Sequence, residues 1–282
     1  MVGPQIFNND DIIRFEPKKH RYLNKLDQDL TSVSRVISSV IVPFDREGVS
    51  FNMAKVMARE LGIGVKEAQK RILDGWDAKL NSSTVRGNWI HNDLERYQLT
   101  GEYDPKLKGV IEQLQPIFKN GHRFFMEART YSLKYMSAGT SDLVVQRQRG
   151  IKSVFDFYDY KTNEAKGIQF DSINRKKVPP KHYNRFLLSP LEHMEDCNYN
   201  HYSMQLSLYA FMAELTWGLR IGKLAILYID NDLKLNQYPV PYLKLEAKAL
   251  LEYHANLKPL PQVNKSPLPK NDSVSIQEED DW

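Results

Sequence analysis

The chain has 282 residues, 41% of them hydrophobic, with one cysteine and a formal net charge of +4. That is enough apolar material for a sizeable core, and it excludes an internal disulfide and any cysteine-rich metal or iron–sulfur site. No secretory apolar segment follows Met1 and no apolar run is long enough to span a bilayer, so a cytoplasmic protein without membrane contact is expected. The charge is uneven: in 264–282, Lys265 and Lys270 stand against five carboxylates, a net −3, which leaves +7 on the rest.

In chain order, the stretches 12–15 and 20–23, separated by Pro17-Lys18-Lys19, predict a small hairpin. Thr31-Ser32 then offers an N-cap for a short helix through Val33, Val36, Ile37 and Val40, halted by Pro43. Three helical patterns follow at about 49–61, 65–79 and 84–99, and Asp104-Pro105 opens a fourth over 107–118 that ends near Gly121. Residues 1–122 are thus expected to form a mainly helical front part, 123–262 an α/β core, and 263–282 a disordered acidic tail.

The core starts with a strand over 124–131. Two runs rich in β-branched and aromatic residues, 139–145 and 154–162, flank the polar stretch 146–150 and predict an antiparallel pair. After them come six basic residues (Lys166, Arg175, Lys176, Lys177, Lys181 and Arg185) against Asp171 alone, then Pro179-Pro180 and a strongly helical pattern over 200–215. A buried strand at 224–229, an edge strand at 238–243 broken by Pro241, and a last helix over 245–257 complete the chain.

Side chains alternate across a strand, so Asp159 and Lys161 are expected on one face and Asp156, Tyr158 and Tyr160 on the other. The amide variant Asp156→Asn is therefore expected to keep function. Asp-x-Lys occurs elsewhere, for example at Asp77, in a helical pattern, and at Asp232, in a polar turn; Asp159-Tyr160-Lys161 is the one that closes an apolar run with a Gly-x-x-Asp, Gly139 to Asp142, upstream. Those groups either hold a divalent cation with water beside it or form a solvated ion pair. His91 and Glu95 share one helical face beside the apolar stripe of Ile90, Leu94 and Tyr97, where the imidazole either completes a metal site or hydrogen-bonds in the core. Glu127 faces either solvent or the site. Gln205 and Tyr209 share a face of a helix that also reads as plain core, the basic cluster is either a polyanion contact or a solvated loop, and Cys197 is expected to be an ordinary partly buried thiol.

Taken together and in order, Gly87-x-x-x-His91-x-x-x-Glu95, Glu127, Gly139-x-x-Asp142, Asp159-x-Lys161-Thr162 and Gln205-x-x-x-Tyr209 resemble the RecB-like branch of the PD-(D/E)XK nuclease superfamily. The resemblance covers roughly 85–230, and 32–37 is similar to the opening segment of phage-encoded members. It implies a restriction-endonuclease-like α/β fold, a central mixed sheet flanked by helices, and hydrolysis of DNA phosphodiesters with Mg2+ or Mn2+. Asp142, Asp159, His91 and the Tyr160 carbonyl would be metal ligands, and Lys161 would position and help deprotonate the attacking water. Glu127 would serve a second metal or the water, Glu95 would orient His91, and Gln205, Tyr209, Lys176, Lys177 and Arg185 would hold the DNA strand. The four-cysteine iron–sulfur cluster of some branches cannot form here. The resemblance favours an exonuclease in phage replication, recombination or repair. The alternatives are a structure-specific endonuclease of the same fold, or an inactive DNA-binding or partner-recruiting protein. The ending Glu278-Glu279-Asp280-Asp281-Trp282 is similar to tails of single-strand-binding proteins, which makes such a protein or a recombination protein a candidate partner.

Overall fold

The computed structural model describes residues 6–7, 11–118, 122–150, 152–162, 167–171 and 185–257. The chain is a mixed α/β protein with an eight-stranded sheet. Strands β1 (Ile13–Glu16) and β2 (Arg21–Asn24) form the expected hairpin, and β3 (Asp29–Ser32) pairs with β2. Ser32 caps helix α1 (Val33–Ser38) by accepting the Arg35 N–H at 3.3 Å, as its position before an apolar helical pattern predicts.

Helix α2 (Arg46–Leu61) begins earlier than expected because Asp45 accepts the Gly48 N–H at 2.9 Å and so caps a longer helix. The next two patterns are one helix: α3 runs unbroken through Val65–Thr100, 36 residues. Ser82, Ser83 and Thr84 suggest a new start in the sequence. Each costs only a few tenths of a kcal/mol in a helix interior, however, and packing holds both ends of α3 helical. Its first part packs Ala68 and Ile72 on Ala54 and Ala58 of α2, and its last part packs Ile90 and Leu94 on the sheet. Helix α4 (Lys108–Leu114) is shorter than the expected 107–118: Pro105–Leu107 forms a tight 3-10 turn before it, and Pro116 stops it two residues after Leu114.

Strands β4 (Arg123–Ser132), β5 (Ser137–Arg149) and β6 (Lys152–Lys161) form the antiparallel heart of the sheet; β7 (Ile221–Ile229) lies parallel to β6, and β8 (Leu235–Val240) is the far edge. The predicted turn over 146–150 is tighter than expected, because β5 and β6 stay paired out to Arg149 and Lys152. One face of the sheet carries α5 (Asn198–Trp217), with α1 and α6 (Lys244–Asn256) against it; its core includes Val144, Phe155, Phe157, Leu206 and Tyr209. The other face takes α3 and α4 on Leu143, Val145, Tyr158 and Tyr160. Among the described residues no helix is long and apolar enough to cross a membrane.

Strand β5 has two edges, and how they are used positions everything that follows. Strand β4 takes one edge, pairing with 137–146. The other edge is shared in succession: β3 runs parallel to Ser137 and Ala138, and β6 joins antiparallel from Leu143 onward. Residues 139–142 fall between the two ladders, so the sheet forks at the Gly-x-x-Asp segment.

Candidate functional site

Asp142 lies at the mouth of the fork. The next pair after Leu143 and Tyr158 would be Asp142 and Asp159, but the ladder ends there, and Asp142 Oδ2 instead accepts the Tyr160 N–H at 2.5 Å. The carboxylate thus replaces a strand partner for the backbone of the Asp-x-Lys segment. The neighbours at the fork are satisfied locally: Ser141 donates to the Tyr158 carbonyl at 3.2 Å, and Thr140 shares a 2.8 Å hydrogen bond with Tyr22. Gly139 is required by crowding, since a Cβ there would lie 2.5 Å from the Tyr209 ring and 2.8 Å from Val33.

The expected strand phase holds. Phe155 and Phe157 face α5 while Tyr158 and Tyr160 face α3, so alternation places Asp159 and Lys161 on the α5 face together with Asp142. Lys161 Nζ is 2.8 Å from Asp159 Oδ2, yet off the direction a hydrogen bond needs, and that buried oxygen has no hydrogen-bond donor. The ammonium also lies over the Tyr202 ring, 4.6 Å from its centre. Tyr202, Gln205 and Tyr209 form one stripe of α5 facing the fork, with Gln205 donating to the Tyr209 hydroxyl at 2.8 Å. Tyr202 was missed in the sequence, although its spacing from Gln205 and Tyr209 was visible there.

From the other side, α3 brings His91 to the same place. Its Nδ1 is 3.6 Å from Asp142 Oδ1, within Coulomb reach and beyond hydrogen-bond length, and its ring stands edge-on to Tyr160 at 5.8 Å. Asp142, rather than the expected Glu95, is the carboxylate that pairs with this imidazole. Two features hold α3 in place. Arg86 donates to the carbonyls of Thr162 at 2.8 Å and Asp230 at 2.5 Å, bolting the helix to the ends of β6 and β7. Gly87 lets α3 close on the strand end, where a Cβ would meet Thr162 Oγ1 at 3.2 Å.

Glu127 stands across β4 from Asp142 but outside the ladder, between the pairs Met126–Leu143 and Ala128–Ser141, with a φ of 44°. A left-handed glutamate inside a strand is strained backbone. Its side chain is exposed, and crowding at the fork together with the charges of Asp142 and Glu95 pushes its carboxyl upward.

The electrostatics divide the two aspartates. Burial disfavours the Asp142 carboxylate, but the charges of His91 and Lys161 and the Tyr160 N–H outweigh it, so its pKa is lowered. Burial wins at Asp159, helped by the charge of Asp142, and raises it to about 6 despite Lys161. His91 and Lys161 are both raised: burial opposes their charged forms, and Asp142 for the first and Asp159 for the second overcome it.

Asp142, Asp159, Lys161, His91, Glu127, Gln205 and Tyr209 therefore share one neighbourhood. Arg185 is engaged elsewhere, paired with Asp196 at 2.9 Å in the segment before α5. Lys176, Lys177, most of the remaining basic cluster and the acidic tail lie outside the described residues. Among the described residues, no group of three or more His, Cys, Asp or Glu side chains is drawn close enough to enclose a metal ion. Asp159 turns to Lys161 while His91 turns to Asp142. The donor set still suits a hard divalent cation: two carboxylates, an imidazole, a neighbouring backbone carbonyl, and in Asp159 Oδ2 a buried oxygen with no hydrogen bond. Compared with known proteins, the chain matches no family model and no curated protein.

Proposed function

We propose that the chain is a metal-dependent DNA nuclease of the PD-(D/E)XK kind, acting from strand ends as an exonuclease. The observation that carries this reading is the convergence at the sheet fork of Asp142, Asp159 and Lys161 from two adjacent strands with His91 from a distant helix. A structural ion pair has no need of a second, partly buried carboxylate beside it. The same fork supports the finer fold reading, a restriction-endonuclease-like sheet with the site where the central hairpin diverges.

Asp142, Asp159 and the Tyr160 carbonyl would hold Mg2+ or Mn2+, and the His91 imidazole would favour Mn2+. The bound cation would stabilise charge on the scissile phosphate and the leaving oxygen. The chain's own residues do the rest. Lys161 Nζ, held between Asp159 and the Tyr202 ring, orients the attacking water and balances the negative charge that develops on the phosphate. The Gln205–Tyr209 pair presents an amide and a phenol to the strand's phosphate or sugar. Glu127, exposed beside the fork, presents a carboxylate to the water or to a second cation.

The test is digestion of end-labelled linear, nicked and circular DNA with Mg2+, Mn2+ or EDTA. Metal-dependent loss of linear DNA with circles intact is the expected result, and Asp142→Ala or Lys161→Ala should remove it while the protein stays folded and binds DNA. Cleaved circles would replace the exonuclease with an endonuclease. Full activity in either variant, or none in the wild type under any metal, would overturn the reading; the latter would leave a DNA-binding protein without catalysis.

A further inference from the structure

A second site is built at the opposite end of β6. A cleft of about 470 Å3 is lined there by Arg147, Arg149, Val154, Arg220, Gly222 and Lys223. By strand alternation, Arg147 and Arg149 share the face of Leu143 and Val145, not the α5 face of Asp142. Five residues of β6 separate Val154 from Asp159, roughly 17 Å at 3.3 Å per residue. The cleft is thus separate from the fork.

A buried carboxylate organises it. Asp156, 1% exposed, receives both arms of the Arg147 guanidinium, Nη2 at 2.7 Å and Nε at closer range. The β6–β7 pairing runs from Phe155–Ile221 to Phe157–Leu224, so Gly222 and Lys223 together oppose Asp156 as a bulge. Bulges of this kind re-aim side chains. The Lys223 N–H donates to Asp156 Oδ1 at 2.7 Å, and a Cβ at residue 222 would fall on that same oxygen and within 2.6 Å of Val154, so only glycine fits. Asp156 cancels one positive charge, that of Arg147. Arg149, Arg220 and Lys223 remain on the exposed rim, and among the described residues none of them is drawn into an ion pair. Lys152, exposed and paired across the hairpin from Arg149, extends the positive rim.

We propose that this cleft is a phosphate site that grips the backbone of a nucleic acid outside the cleavage centre. Guanidinium forks match phosphate oxygens in pairs, and three uncompensated cations around one open cleft suit a repeating polyanion. The claim does not require that Asp142 and Asp159 cleave anything.

The experiment measures anisotropy of a fluorescent single-stranded oligonucleotide in EDTA over a series of salt concentrations. It compares the wild type, a control variant with the same charge change on exposed lysines of α2 and α3 (Lys55→Gln, Lys66→Gln, Lys79→Gln), and a triple variant Arg149→Gln, Arg220→Gln, Lys223→Gln, with thermal melts to show that each is folded. The triple variant should bind at least tenfold more weakly at low salt, and its plot of log affinity against log salt should be shallower by about two units, as three lost single-strand phosphate contacts require. The control variant should match the wild type, which separates this site from a general loss of positive charge. Unchanged affinity and slope in the folded triple variant would overturn the proposal. So would a result in which pyrophosphate binds the wild type but not the triple variant while oligonucleotide binding stays the same, since the cleft would then serve a small anion.

Discussion

Strand β6 carries two buried aspartates three residues apart, each beside a cation, and their surroundings differ in every other respect. Asp156 is 1% exposed and fully satisfied, by the Arg147 fork and the Lys223 N–H. Asp159 is 3% exposed, meets Lys161 at an angle poor for a hydrogen bond, sits beside a second carboxylate, and has its pKa raised to about 6. Burial alone does not tell them apart; completeness of partners does. A satisfied buried ion pair fixes geometry, whereas an unsatisfied one beside a like charge is destabilising unless something else is bound there.

The sharpest way to break this comparison is to neutralise each aspartate in turn. Asp159→Asn should lower metal-dependent cleavage at least a thousandfold, about 4 kcal/mol in barrier, with the fold intact by circular dichroism. If that variant cleaves normally, the two aspartates do not differ in function. Asp156→Ala should do the reverse. It strands Arg147 and the bulge without their carboxylate and should cost about 3 kcal/mol of stability in urea unfolding, with cleavage per folded molecule retained. The sequence-based expectation that Asp156→Asn keeps function stands beside this one: the strand phase holds Asp156 off the site, and its fork with Arg147 and the Lys223 N–H gives it a part in stability. A third variant probes the mounting of the site. Arg86→Ala loses two hydrogen bonds from a charged donor to backbone carbonyls, so it should cost about 2 kcal/mol and reduce cleavage by misplacing His91.

The smallest expected effect is one of pH. The Asp159 carboxyl, raised to about 6, holds its proton more tightly folded than unfolded. Its contribution is therefore fully present below the ordinary aspartate range and is lost as pH rises through about 6. In EDTA, Asp159→Asn should then gain stability relative to the wild type as pH rises from 4 through 6, with the difference vanishing towards pH 4. A wild type that stays the more stable of the two above pH 6 would show Lys161 to be an adequate partner by itself.

What could be read in the sequence is what depends on local periodicity. The alternation of 154–161 placed Asp159 and Lys161 together and Asp156 apart, the cap at Ser32 was visible, and the shared helical face of Gln205 and Tyr209 proved to face the fork. What could not be read depends on long-range pairing. The fork exists because β3 reaches Ser137 and Ala138 from far upstream, and no pattern within 137–146 reveals that a neighbour will leave and another arrive. Tyr202 beneath Lys161, Arg86 across two strand ends, and the left-handed Glu127 are hidden for the same reason. The merging of two helical patterns into α3 was masked by polar residues whose small cost packing at both ends overrides.

That merger has a mechanical outcome. At 1.5 Å per residue, His91 rides about 39 Å from the start of a single stiff rod whose outer portion packs on α2 and, through Trp76, on Phe44, while Arg86 pins it five residues before the imidazole. The rod has its anchor beside its working tip, so any displacement of the outer arm is geared down to a slight one at the imidazole, and the His91 end is insulated from whatever jostles the far end.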